Sequence, residues 1–394
     1  MTQVQCAKEE RARPRLRRSA GWGLTVLLIA WLLLVGVKAY QKGLDIWLPG
    51  YLSWAWSERG TAARGPTHIM FLVADHFEPA GNREVMARWV REYPRLAARH
   101  RDHDGRPPRH TWFYPVEQMR PGEVGQLAGL CAQDLGDIGI HLHHRRSTDS
   151  QVRAALRKGG RDISRWAGLH GTGAFRYPFV HGNWGLDSSR GALYCGARHE
   201  LDDLQATGCF GDFTFPTLAR GSQPRLVNTI FYAKDSSRPK SYARGEPVQV
   251  GKQGRGLLIF QGPLLLRWGD WRHLLYPAID HGDLHEANPP TPRRVDAWVG
   301  AGIHVAGRPE WVFVKAYTHG AQPGSVDMTL GQPADRMYSH LERRYNDGRR
   351  YVLHYVTARE AYNIVRAAED GKRGDPGKYR NYEIPAYAWG QGNP

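Results

Sequence analysis

Cysteine is scarce in this chain: there are four in 394 residues, and no two form a Cys-x-x-Cys pair. That spacing excludes zinc-finger and thioredoxin-type readings. Cys195 and Cys209 are close enough in sequence for a disulfide in an oxidising compartment, but small buried hydrophobes is the reading we favour. Acidic residues are also short, 38 against 54 Lys and Arg, which leaves a formal charge of +16. Such a balance suits anionic partners: phospholipid headgroups, acidic glycans or nucleic acid. Internal repeats and low-complexity tracts are absent. What is present is ample for a core, with 41% hydrophobic and 11% aromatic residues, so the chain is not a disordered one. Its length allows two average domains or one large barrel.

Charge is absent altogether from Gly21 to Val37, seventeen residues reading GWGLTVLLIAWLLLVGV. At about 1.5 Å per residue this run is at the short end of what spans a bilayer. Trp22 at one end, and Tyr40, Trp47 and Trp54 beyond the other, stand where interfacial aromatics are expected. Lys8, Arg11, Arg13, Arg15, Arg17 and Arg18 precede the run, so the positive-inside rule places the N-terminus in the cytoplasm. A cleaved signal peptide is the competing reading, but its apolar region is shorter and Val37-Lys38-Ala39 is a poor cleavage site. The expectation is a single-pass protein of a bacterial inner membrane, with the bulk of the chain outside the cytoplasm. In that compartment nucleic acid is not expected as a partner.

After Gly65-Pro66 the pattern alternates strand and helix. Apolar runs predict strands at 68–75, 111–116, 138–143, 174–180, 210–215, 257–266, 312–317 and 351–356. Helical spacing predicts helices at 83–100, 123–135, 151–157, 199–206, 293–299 and 334–345. The last helix opens with a capping box, Thr357 and Glu360. The Gly- and Pro-rich stretch 216–256 reads as an insertion. Such alternation implies parallel strands under outer helices, and seven or eight units suggest a closed or nearly closed barrel. Active-site groups in such folds gather at the C-terminal strand ends.

Those ends carry chemistry. The first runs Asp75-His76-Phe77-Glu78-Pro79, with an acid beside an imidazole. The third ends Asp137-Ile138-Gly139-Ile140-His141-Leu142-His143-His144. His141 and His143 are two apart, so an extended chain points both to one side. Imidazoles clustered this way favour a divalent metal. The fourth gives Arg176-Tyr177-Pro178-Phe179-Val180-His181-Gly182-Asn183-Trp184, groups suited to holding a sugar. Asp212 lies in the fifth, and a late strand exits at Tyr317-Thr318-His319, where a general acid is useful. His281 and His285 are further candidates in a loop.

In this order the strand ends resemble the polysaccharide deacetylases of carbohydrate esterase family 4. The resemblance spans roughly residues 67–365. Asp137-Ile138-Gly139-Ile140-His141 is similar to that family's second motif, Arg176-Tyr177-Pro178-Phe179 to its third, and Tyr317-Thr318-His319 to its fifth. His76 stands where the family has its second aspartate, and Arg145 stands where it has its second histidine, leaving His143 or His144 to substitute. The resemblance implies a distorted (β/α)7-type barrel, here preceded by one N-terminal transmembrane helix. It further implies Asp75 as base and His319 as acid, with His76, His141, His143 and His144 as candidate ligands of a divalent metal, zinc first and cobalt or nickel after it. Arg176, His181, Asn183, Trp184 and Asp212 would serve a polysaccharide substrate, with Asp212 pairing Arg176. The expected organisation is a basic tail at 1–20, an anchor at 21–40, a juxtamembrane linker at 41–66, the barrel at 67–370 and a C-terminal tail at 371–394. The expected function is metal-dependent removal of acetyl groups from an envelope or exported polysaccharide. The alternatives are an inactive glycan-binding barrel and a phosphoesterase.

Overall fold

In the computed structural model the described residues are 13–57, 65–169, 175–268 and 276–390. Most of the expected basic tail and Cys6 lie outside them. The chain divides into two compact units, Met1–Asp45 and Ile46–Pro394. The first holds a helix at Arg13–Gln41, whose side chains from Val26 to Leu34 are mostly exposed. Among the described residues no single helix is long and apolar enough to cross a membrane. Thr25–Gln41 and Leu44–Ser57 pass that test only as a pair.

The second unit is a mixed α/β structure around a mainly parallel sheet. Its strands are β1 (Thr67–His76), β2 (His110–Pro115), β3 (Gly136–Leu142), β4 (Tyr177–His181), β5 (Cys209–Asp212), β6 (Ile230–Ala233), β7 (Glu246–Pro247), β8 (Leu257–Phe260), β11 (Trp311–Thr318) and β12 (Tyr351–Tyr355). A separate antiparallel pair is β9 (Leu265–Arg267) with β10 (Ala278–Asp280). The main sheet runs β11-β1-β2-β3-β4-β5-β8-β6-β7, with β12 beside the first half of β1. Pairings from β11 to β8 are parallel, and β6 and β7 add antiparallel.

The sheet curls around an aromatic interior. Phe113, Phe213, Phe260 and Phe313 form a chain of rings 6.0, 5.0 and 5.5 Å apart, joining β2, the exit of β5, β8 and β11. The buried Lys315 of β11 donates to the Phe213 carbonyl at 2.5 Å, crossing between strands that share no ladder among the described pairings. This arrangement is compatible with a barrel-like α/β fold.

Strand parity sorts the side chains. Even residues of β1 face the interior, where His76 meets Trp184 and His319. Odd ones face the helices, where Phe71 meets Tyr338. The helices are stopped and started by local chemistry. Asn82 caps Arg83–Ala97 through Glu84 and Val85, and capping boxes at Thr148/Gln151 and Thr357/Glu360 open Asp149–Trp166 and Ala358–Glu369.

Three stretches differ from their sequence reading. The run 257–266 is two strands rather than one, broken at Gln261-Gly262-Pro263. Proline has no N–H to give a ladder, and a Cβ on Gly262 would meet the Lys315 carbonyl. Residues 216–256 are more than an insertion, since they hold β6 and β7. Trp47 and Trp54 are not interfacial aromatics: they are buried in the second unit beside Tyr51, on the inner face of the helix Leu44–Ser57. Cys131, Cys195 and Cys209 are free and buried.

Candidate functional site

The C-terminal ends of β1, β3 and β11 meet at one place. Glu78, two residues past β1, points one carboxylate oxygen at two imidazoles: His141 Nε2 at 3.0 Å and His143 Nε2 at 2.9 Å. Its other oxygen accepts from Gln322 at 2.5 Å. His143 Nδ1 is held by Glu117 at 2.5 Å, and its backbone N–H faces the same carboxylate. The outer carboxylate fixes the ring, so that Nε2 is the atom presented to Glu78. Glu78, Glu117, His143, His144, Asn183 and Gln322 line an open cleft here.

Electrostatics follow from this packing. Burial alone would raise the Glu78 carboxyl, but hydrogen bonds from His141 and His143 hold it well below its ordinary value. Burial opposes charge on His143, yet Glu117 and Glu78 raise it to about 9. Burial lowers His141, and burial with neighbouring His319 and His141 lowers His76 strongly. Burial also lowers His319, which keeps that imidazole neutral near pH 7.

His76 sits on the interior wall, its ring 5.0 Å from His141, 4.7 Å from His319 and stacked on Trp184 at 4.7 Å. Its buried Nδ1 has no hydrogen-bond partner. Asp75 is turned the other way. It is fully buried, accepting from Gly320 N–H at 2.6 Å and paired with His110 Nε2 at 2.9 Å. The one-residue step that sends His76 inward sends Asp75 toward the helix layer. Both of its oxygens are engaged there. The geometry gives Asp75 the work of tying the end of β1 to the loop that carries His319.

His144 does not join His141 and His143. Its Nε2 faces Glu200 at 2.9 Å. The buried Glu200 also accepts from Cys195 at 3.2 Å and from the Asp187 N–H at 2.5 Å, with His181 Nε2 at 3.6 Å. His181 Nδ1 accepts the N–H groups of Asn183 and Gly185, which places its ring proton on Nε2, toward Glu200. This is a hydrogen-bonded hub that pins the loop after β4, and His181 lies inside it rather than at the cleft. Asn183 spends its amide on the His144 carbonyl. Trp184 packs on His76 from a left-handed backbone, φ 52°.

The expected Arg176–Asp212 pair is not formed. Arg176 is exposed just before β4, at the N-terminal end of that strand. The five residues of β4 put it about 16 Å from the strand ends where the site lies. Asp212 is buried in the interior, where Thr214 donates to it at 2.6 Å and burial pushes its carboxyl up to about 7.

Three groups escaped the sequence reading: Glu78, Glu117 and Glu200. Glu78 had a signal, a second acid three residues after Asp75 at the same strand exit. Glu117 and Glu200 had none, because nothing in their neighbourhoods marks which histidine they reach. The donor set Glu78, His141 and His143 has its ligand atoms within 4.8 Å of one another. Two nitrogens and a carboxylate oxygen converging this closely are compatible with a divalent metal.

No family model matches the chain. No curated protein matches it either. Among solved structures the chain is similar to one described as "Crystal structure of putative polysaccharide deacetylase from Mycobacterium smegmatis", with a TM-score of 0.39 and 13% identity, covering 80% of this chain and 96% of that one. A likeness that distant carries no argument about this chain.

Proposed function

We propose that the protein is a metal-dependent hydrolase that removes acetyl groups from an envelope or exported polysaccharide. The observation behind this reading is the convergence of Glu78 and His143, which line an open cleft, with the buried His141 behind them and a half-buried, neutral His319 nearby. The ion we propose is zinc, held by those three side chains, with His76 adjacent. A divalent ion there supplies a Lewis acid and makes water acidic near neutral pH. Glu117 orients the His143 ring through Nδ1, and an ion at Nε2 would displace the proton that Glu78 and Glu117 otherwise hold on that imidazole. His319, neutral at rest, accepts the proton of the attacking water and returns it to the leaving nitrogen or oxygen. Asp75 positions the His319 loop through Gly320 and does not touch substrate. The uncharged run at 21–37 anchors the chain in the bacterial inner membrane, with the cleft on the periplasmic side.

One observation favours a second reading. The residue in the place of the family's base, Asp75, has both oxygens occupied and is sealed from the cleft. A glycan-binding barrel without catalysis would tolerate that. Metal analysis of the purified chain, followed by acetate release from acetylated glycans, separates the two. About one zinc per chain, lost together with acetate release in His141→Ala, supports the hydrolase. Glycan binding without metal or acetate release overturns it in favour of the scaffold.

A further inference from the structure

A second group of metal-type donors lies at the other end of the sheet. His68 stands at the start of β1, and His354 lies in β12 with Met70 as its ladder partner. Residues paired across a ladder point to one face, and His68 and Met70 are two apart, so both imidazoles stand on the interior side. His68 Nδ1 and His354 Nε2 are 2.9 Å apart. Asp375, from the segment after the helix Ala358–Glu369, puts Oδ1 3.8 Å from His354 Nε2. The three ligand atoms lie within 4.8 Å of one another. Ligands about 2.0 Å from a tetrahedral ion stand about 3.3 Å apart, so small movements close this set on one. Eight residues of β1 separate His68 from His76, about 26 Å along the strand, so these donors are remote from the cleft.

The support behind these donors is that of a metal ligand. His354 is fully buried, and its Nδ1 meets Asp104 Oδ2 at 3.0 Å. Arg380 donates to the same oxygen at 2.9 Å, which keeps that carboxylate ionised. An ionised carboxylate only accepts, so the His354 proton is on Nδ1 and Nε2 offers its lone pair. Gly377 lets both acids approach: a Cβ there would stand 2.7 Å from Asp104 Oδ2 and 3.0 Å from Asp375 Oδ1. The His68 ring and the Asp375 carboxylate are part-exposed, which leaves an entry from solvent. Holding β12 to β1 needs only the two rings, whereas the third donor reaches them from a separate segment. We propose that His68, His354 and Asp375 bind a second divalent ion, zinc first among the metals that suit imidazole, and that it staples the C-terminal segment to β1 and β12. The His68 ring proton then stands on Nε2. The site fills when zinc is added, because the ion must displace the hydrogen bond between the rings. It goes beyond the hydrolase reading and does not depend on it.

The test is equilibrium dialysis of the full chain against zinc near neutral pH. His141→Ala is the background, so that the cleft takes no ion. That chain should bind about one zinc and unfold at a higher temperature with zinc than without it. His68→Gln and Asp375→Asn should each weaken the uptake by at least about tenfold and remove the thermal shift, and Asp104→Asn should weaken it by about 10–100-fold. Asn at 375 keeps the oxygen that accepts the Gly377 N–H at 2.8 Å. Metal-free urea midpoints close to that of the background show that lost uptake is lost ligation. Uptake and thermal shift unchanged in His68→Gln and Asp375→Asn overturn the site, and so does a His141→Ala chain that takes up no zinc. The hydrolase reading fails separately. Zinc in the wild type that His68→Gln removes and His141→Ala leaves in place sinks the catalytic ion and keeps this one.

Discussion

Gly320→Ala probes the link between the end of β1 and the loop that carries His319. A Cβ on Gly320 would stand 2.3 Å from Asp75 Oδ2 and 2.7 Å from Trp89 Cζ2. Neither neighbour has room to retreat. Asp75 is held by the Gly320 N–H and by His110, and the Trp89 indole donates to the Gly320 carbonyl at 2.9 Å. Overpacking costs about 1–3 kcal/mol, and weakening a buried charged hydrogen bond adds about 1.5–3 kcal/mol, so the variant should lose roughly 3–5 kcal/mol. The measurement is the shift in urea midpoint, with Gly300→Ala as control, because its Cβ meets nothing. At a temperature where the variant is folded, the displaced His319 should lower kcat by about 100-fold, as about 1 Å of misplacement does. Combining Gly320→Ala with Asp75→Ala should cost clearly less than the two alone, because both remove one contact. A Gly320→Ala protein within about 0.5 kcal/mol of wild type and fully active would refute the clamp.

Glu117→Gln should weaken zinc binding by about 10–100-fold, read by competition with a chromogenic chelator, while the unfolding midpoint barely moves. His144→Ala should leave the zinc stoichiometry unchanged, since that ring belongs to the Glu200 hub; loss of the ion would return it to the ligand set. Arg176→Ala should keep the rate of acetate release within about twofold, being exposed and far from the strand ends. Burial would raise the Glu200 carboxyl, but His181 and His144 hold it at about 2 from an ordinary 4.5. A depressed carboxyl contributes stability above its unfolded pKa and loses it as pH falls. Wild type should therefore lose about 3 kcal/mol between pH 4.5 and 2 that Glu200→Gln never had, measurable by urea titration at each pH.

The fold was legible where apolar runs were long and evenly bounded. β1, β2, β3, β11 and β12 all lie within a residue or two of their readings, because a strand buried on both faces announces itself as a continuous apolar run. The helix Leu44–Ser57 was not read as one. It carries Pro49 and Gly50 and has no polar face, and its order comes from packing Trp47, Tyr51 and Trp54 on its own unit rather than from any periodic signal. The antiparallel β6 and β7 were hidden in the same way, within a Gly- and Pro-rich stretch whose strands are four and two residues long.

At the site, what sequence reveals and what it hides are divided by parity. His141, in β3, and His143, one residue past its end, are two apart and both reach Glu78. His144 is one step further, so it faces Glu200 instead. The same step separates His76, inward among the imidazoles, from Asp75, outward against His110 and Gly320. Glu78, two residues past His76, keeps its parity and reaches the same side, so the acid of the site stands at the even position. Resemblance by motif order finds which strand exits carry chemistry. Which atom at each exit meets the others depends on one-residue parity and on loops, and here it moves the acid of the site from position 75 to position 78.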